Sequence, residues 1–239
     1  LAEPLEPLQV DGNRPAMSVV LVSPDTFTTL RRTVRFLRAQ TVRPRIELIL
    51  VGPTREALND RDPSETQGFH SVKTVAAGPI DNVDKAAACG VYQVSAPVVA
   101  LVEDHAYPDP GWAEALLEAH RGPWSAVGST VLNANPDTAL SWTNLLLAYG
   151  TWVAPVRGGE TRSVSRHNIS FKRSALAGYG TRLEEYMGRD GGLLQRMLAR
   201  GDRFYLEPAA RIYHANFSLL RPSLLLRFNG GRISAATRA

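Results

Sequence analysis

The chain has 239 residues, 44% apolar and 21% charged, an ordinary balance for a globular protein with one sizeable core. Its formal charge is only +4, and a single cysteine, Cys89, excludes a disulfide framework or a thiolate zinc site and reads as structural. No apolar run reaches the ~18 residues that cross a bilayer, and no aromatics interleave with a basic run, so no nucleic-acid partner is expected.

Residues 1–16 read as an extended, proline-rich leader without a signal-peptide pattern. Residues 17–22 form a first apolar strand, broken by Ser23-Pro24-Asp25. A helix over residues 28–40 buries Leu30, Val34 and Leu37 and turns Arg31, Arg32, Arg35 and Arg38 mainly to other faces. Residues 46–51 make a second strand, and a polar interval over 54–70 precedes a short strand at 72–75. Residues 81–94 pattern as a helix whose Ala86, Ala87, Ala88 and Gly90 allow a close backbone approach.

Residues 98–102 are continuously apolar, as in a strand buried on both faces of a parallel sheet. They run into Glu103-Asp104-His105, and then Pro108, Pro110 and Gly111 stop the strand. In open α/β sheets ligands bind beyond the carboxyl ends of the strands, so this triplet stands where a ligand belongs. A solvated acidic turn is the other reading of the triplet alone.

Beyond it, residues 112–120 read as a helix, 126–132 as a strand, and 141–152 as an aromatic-rich stretch without assigned structure. Gly158-Gly159 marks a loop, Ile169-Ser170-Phe171 is strand-like, and 193–200 is a helix ended by Gly201. Two short strands are expected at 203–206 and 210–214. Strands alternating with helices over 17–215 predict an α/β domain with a mostly parallel, Rossmann-like sheet and a smaller mixed half. Residues 216–239 alternate leucines with arginines, which suits either a helix packed on the body or a basic amphipathic element on a membrane surface.

Four separated pieces, in order, resemble the inverting family 2 glycosyltransferases of GT-A fold. They are Ser18-Val19-Val20-Leu21-Val22 with Ala39-Gln40-Thr41; Leu101-Val102-Glu103-Asp104-His105 with Pro108, Pro110, Gly111 and Trp112; Asn168-Ile169-Ser170-Phe171-Lys172-Arg173; and Gly188-Arg189-Asp190 with Arg196, Gly201, Pro208 and His214. The family's Asp-x-Asp stands here as Glu103-Asp104-His105. Its base-contacting carboxylate after the second strand is missing near Gly52, and the Glu that precedes its catalytic Asp is Arg189.

The resemblance implies transfer of a sugar from a nucleoside diphosphate sugar to a hydroxyl acceptor: a polysaccharide, glycolipid or secondary metabolite. It implies a divalent cation, Mn²⁺ or Mg²⁺, held among Glu103, Asp104, His105 and His214; imidazole favours Mn²⁺. Pro24, Asp25, Asp104 and Asn168 are expected to contact the donor, with Asn168 and His167 near the sugar or acceptor. Asp190 is the expected general base. Capping of the following helix is its other reading, and Glu184 and Glu185 are its rivals. Trp142 and Trp152 offer flat surface for an acceptor. The expected location is cytoplasmic, with peripheral membrane contact through 216–239. A GT-A module that binds nucleotide sugar or a protein partner without turnover is the alternative. A nucleotidyltransferase would want a Gly-rich phosphate loop and a Lys after the first strand, and residues 23–28 offer neither.

Overall fold

A computed structural model describes residues 14–189, 192–225, 228 and 231. The first half runs β1 (Met17–Val22), α1 (Phe27–Arg38), β2 (Ile46–Gly52), β3 (Ser71–Ala76), α2 (Val83–Val91) and β4 (Val98–Val102). Here β1 pairs in parallel with both β2 and β4, and β2 in parallel with β3. Side chains alternate across these strands. Met17, Val19 and Leu21 of β1 join Phe27, Leu30 and Leu37 of α1 on one face, while Val20 and Val22 join Ala87 and Val91 of α2 on the other. Both faces are thus covered, which is why β4 reads as an unbroken apolar run and β1 and β2 are each apolar but for one polar residue near the start, Ser18 and Glu47. Gly90 sets the spacing of α2, since a Cβ there would stand 2.6 Å from Val20 and 2.7 Å from Val51.

The second half comprises β5 (Ala106–Pro108), α3 (Trp112–Ala119), β6 (Ala126–Asn133), α4 (Ala139–Tyr149), β7 (Gly159–Thr161), β8 (Ile169–Lys172), α5 (Arg173–Ala177), α6 (Leu183–Met187), α7 (Gly192–Ala199) and β9 (Phe204–His214). The sheet order is β3-β2-β1-β4-β8-β6-β9-β5, with β7 also on β9. β8 is antiparallel to both β4 and β6, so the sheet becomes mixed where the second half begins. Trp112 is wholly buried beneath it and donates from Nε1 to Ser129 Oγ at 2.9 Å.

Several expectations are corrected. The two short strands at 203–206 and 210–214 are one strand, β9, whose register against β6 shifts between Ser129 and Thr130 and so passes Pro208 without a ladder bond. Ala106–Pro108, expected only as a stop, forms β5 against Ile212–His214, and the loop expected at 158–159 leads directly into β7. The aromatic-rich stretch is largely α4, capped by Thr138 through Ser141 N–H. Helices α5 and α6 had no counterpart in the pattern, being single turns of five residues each. Residues 220–225 are helical. No helix among the described residues is long and apolar enough to cross a membrane.

Candidate active site

The carboxyl end of β4 delivers Glu103 into a polar cluster built from three other elements. Asn168, at the amino end of β8, has a left-handed backbone with φ 54°, a conformation that Asn tolerates better than most residues. It grips Glu103 twice: its Oδ1 accepts from the Glu103 N–H at 3.1 Å, and its Nδ2 donates to Glu103 Oε2 at 2.7 Å. Tyr149, the last residue of α4, donates its hydroxyl to the same carboxylate oxygen. Burial, the Glu103 charge and that hydrogen bond raise the Tyr149 pKa well above its ordinary value, so the phenol keeps its proton.

His214 closes β9 with its Nε2 3.4 Å from Glu103 Oε2, and its ring lies edge-on to His105 with centroids 4.6 Å apart. Burial would raise the Glu103 pKa. The positive potential of His167, His214 and His105 and the Tyr149 hydrogen bond outweigh it and hold the carboxyl at about 2. His214 moves the other way: burial dominates and lowers its pKa against the opposing charge of Glu103. For His105, burial opposes the charge, but the Asp104 hydrogen bond and the charges of Glu103 and Asp104 win and raise its pKa.

Glu103, His105 and His214 each offer one ligand atom, and these atoms lie within 4.8 Å of one another. The donor set fits a divalent cation on an independent ground. His105 Nδ1 donates to Asp104 Oδ1 at 2.5 Å, and His214 Nδ1 faces Asn216 Oδ1 at 2.9 Å. Asn216 Oδ1 is the acceptor there, because its Nδ2 is spent on Asn133 Oδ1 and the His214 carbonyl. Both imidazoles are therefore oriented through Nδ1, which leaves Nε2 as the ring atom a cation would take once it gives up its proton, the arrangement that outer-shell partners impose on metal-binding histidines. Asp104 supports His105 in this geometry and lies outside the three-residue group.

A cavity of about 210 Å³ opens beside the cluster. Its lining includes Val20, Pro24, Glu103, Asp104, His105, His167 and Asn168, with Val83, Asp84 and Ala87 from α2. Pro24 stands on the loop after β1, where Ser23 Oγ bonds Thr26 O at 2.8 Å and the Asp25 N–H at 3.2 Å. Asp25 itself is exposed and does not line the cavity. His167 links both walls, its Nδ1 lying 3.6 Å from Asp84 Oδ1 and 3.7 Å from Glu103 Oε1.

Asp190 lies outside the described residues, but Arg189 and Gly192 on either side line an adjoining cavity shared with Asp84 and Arg166. The rival carboxylates are both on α6 and both engaged by cations, Glu184 with Lys85 at 3.4 Å and Glu185 with Arg189 at 2.8 Å. Trp142 is exposed, while Trp152 is half-buried and donates to Ser163 O. Sequence reasoning missed Asp84, which nothing marks in a helix of small residues. It gave Tyr149 no role at the site, because a phenol bound to a carboxylate 46 positions away has no local signal.

No family model matches this sequence, and neither does any curated protein. Among solved structures, the fold is similar to that of GalNAc-T7 in a crystal structure with UDP, GalNAc and Mn²⁺. The TM-score is 0.64 at 15% identity, over 87% of this chain. The chain spans 44% of the length of that one. The shared architecture is the mixed α/β GT-A fold expected from the sequence.

Proposed function

We propose that this GT-A domain is an inverting glycosyltransferase that moves a sugar from a nucleoside diphosphate sugar to an acceptor hydroxyl with the help of a divalent cation. The observation that carries this reading is the Glu103–His105–His214 group at the carboxyl end of β4, set on the wall of a cavity of about 210 Å³. The mixed imidazole and carboxylate donors suit Mn²⁺ better than Mg²⁺. A divalent ion bound there would neutralise the diphosphate that departs from the sugar. The GalNAc-T7 structure, which contains UDP and Mn²⁺ on the same fold, is in keeping with this assignment.

The chain's own residues divide the remaining work. Asp104 and Asn216 hold the two imidazoles in one tautomer, and Asn168 and Tyr149 hold the Glu103 carboxylate. Pro24, with Val20 and Val22, supplies apolar wall for the donor, and Asp104, Asn168 and His167 supply its polar contacts. Asp25, on the loop after β1, is assigned to the nucleoside end of the donor. Asp190 takes the acceptor proton as that oxygen attacks the anomeric carbon opposite the diphosphate. The acceptor belongs to a polysaccharide, a glycolipid or a secondary metabolite, and the protein acts in the cytoplasm, peripherally at the membrane.

Donor hydrolysis with Mn²⁺ and each of the UDP-, GDP-, dTDP- and CDP-sugars tests the proposal. Turnover that needs the metal and falls at least ~100-fold in Asp190→Asn is expected. Metal-dependent donor binding, seen as a thermal shift, without turnover of any donor would instead make the domain a nucleotide-sugar binding module.

A further inference from the structure

The charge of the chain is divided sharply along its length. Glu207 is the last acidic residue, and residues 208–239 hold five arginines and no carboxylate. That stretch alone is +5 in a chain whose total is +4, which leaves 22 basic and 23 acidic residues, a net of −1, before it. The same stretch carries several large apolar side chains left in water. Phe217, Leu219, Leu220 and Leu224 are all exposed, Leu219 by 69%.

They do not stand alone. Asn144, buried on the inner side of α4, donates to the Phe217 carbonyl at 3.4 Å and accepts from Ser223 Oγ at 2.8 Å. These bonds lay the C-terminal segment along α4, whose outer face turns Leu146 and Leu147 to solvent, Leu147 by 66%. No residue of α4 is charged. The two elements thus make one apolar surface, well beyond the scattered exposed leucines of an ordinary exterior. Its rim is basic through Arg221.

We propose that this surface of α4 and the segment after His214 docks on an anionic lipid membrane. The leucines enter the acyl boundary while Arg221 at their rim meets the headgroups, the division of labour of an interfacial amphipathic helix. Four of those arginines and no carboxylate follow His214, and that net positive charge favours an anionic surface over a neutral one, with an attraction that salt screens.

The location matters for chemistry. Tyr149, which holds Glu103, is three residues beyond Leu146, and His214 is three residues before Phe217, so both elements reach the cluster directly from the docking face. A hydroxyl presented at a membrane surface, as on a glycolipid or lipid-linked saccharide, is therefore the acceptor class this side of the site would meet. This last clause rests on the transferase reading; the docking itself does not.

Flotation of the protein with vesicles of equal parts phosphatidylcholine and phosphatidylglycerol, without donor or metal, tests the docking. Binding that weakens in high salt and is much poorer on phosphatidylcholine alone is expected. Arg221→Glu should weaken it by roughly tenfold. A Leu219→Ser/Leu220→Ser/Leu224→Ser variant and a separate Leu146→Ser/Leu147→Ser variant should each lose most of it while melting as the parent does. Absence of flotation would overturn the proposal, as would leucine variants that bind like the parent. So would self-association by sedimentation that the same substitutions abolish, since the face would then belong to a second copy. Flotation without metal-dependent turnover would leave the docking standing and remove the acceptor assignment alone.

Discussion

Asn168 is the residue through which the stability of the fold and the geometry of the site can be separated. Replacing it with Gly keeps the backbone free to hold φ 54° but removes both bonds to Glu103, one to its N–H and one to its carboxylate. A neutral hydrogen bond contributes about 1 kcal/mol and a charged one about 1.5–3 kcal/mol, so the loss should be about 2–4 kcal/mol. Asn168→Ala loses the same bonds and adds about 1–2 kcal/mol for a Cβ in the left-handed region. Asn168→Asp is close in shape, yet it sets a carboxylate where a donor stood 2.7 Å from Glu103 Oε2. Two carboxylates at that distance cannot both stay ionised without a cation, so this variant should regain stability as pH falls from 7 toward 5 relative to Asn168→Gly. It should also be the variant most stabilised by Mn²⁺. Urea denaturation of the three variants at pH 7 and pH 5, with and without Mn²⁺, measures all of this. The reasoning fails if Asn168→Gly lies within about 0.5 kcal/mol of the parent, or if the Asp and Gly variants respond alike to pH and metal.

Three further outcomes are expected. Saturating Mn²⁺ at about 100 times its dissociation constant should stabilise the protein by about 2.7 kcal/mol, or roughly 5–10 °C in the melting point of a chain this long. Calorimetry should show His105→Ala and His214→Ala each losing most of that shift, with Asp25→Ala keeping it. His120 is 1% exposed, with Nε2 on Ser170 Oγ at 2.9 Å. Burial first, and then Lys172, lower its pKa from 6.5 to about 3. The unfolded chain therefore binds a proton that the folded one refuses, and stability should fall as pH drops from 6.5 toward 3. Between pH 6.5 and 5 this amounts to about 2 kcal/mol, which urea midpoints should show in the parent and lack in His120→Gln. Tyr149→Phe should cost about 1–3 kcal/mol, because it leaves the Glu103 carboxylate short of a donor in a half-buried site; a midpoint shift below about 0.5 kcal/mol would refute the bond.

The parallel half of the fold was legible because its physics is local. Strands β1, β2 and β4 are buried on both faces and announce themselves as mostly apolar runs, broken only at Ser18 and Glu47, and α1 and α2 repeat their apolar residues at helical spacing. The second half was less so, for reasons that can be named. Its strand β9 reads as two because Pro208 interrupts the pattern, and only the shift against β6 lets one strand pass through it. β5 is three residues long and exists because Ile212–His214 lie opposite, a partnership about a hundred positions away. Glu103, Asp104 and His105 were visible as a polar triplet after a buried strand. The division of labour among them was not, since Asp104 turns to His105 Nδ1 and Glu103 turns to Asn168 and Tyr149.

The site also explains why so irregular a second half exists. Glu103 ends a strand of the parallel half, but what holds or faces it comes from three separate places: Tyr149 on a helix end, Asn168 at a strand start, and His214 at a strand end. A sheet that remained parallel would bring only strand ends to that edge. Inserting β8 antiparallel beside β4 brings the start of a strand there instead, and the left-handed Asn168 is its first turn into register. β9, parallel to β6, then runs far enough past its register shift for β5 to pair with its final residues, which sets His214 opposite Ala106, one position from His105. Moving β9 by one residue would turn His214 to the other face of the sheet. A glycine inserted between Pro208 and Ala209 should therefore abolish the Mn²⁺ shift while leaving the β1–β4 core intact. Hydrogen exchange would read the core and calorimetry the metal. Retention of the metal shift in that variant would show that His214 does not depend on the register and is not part of the cluster.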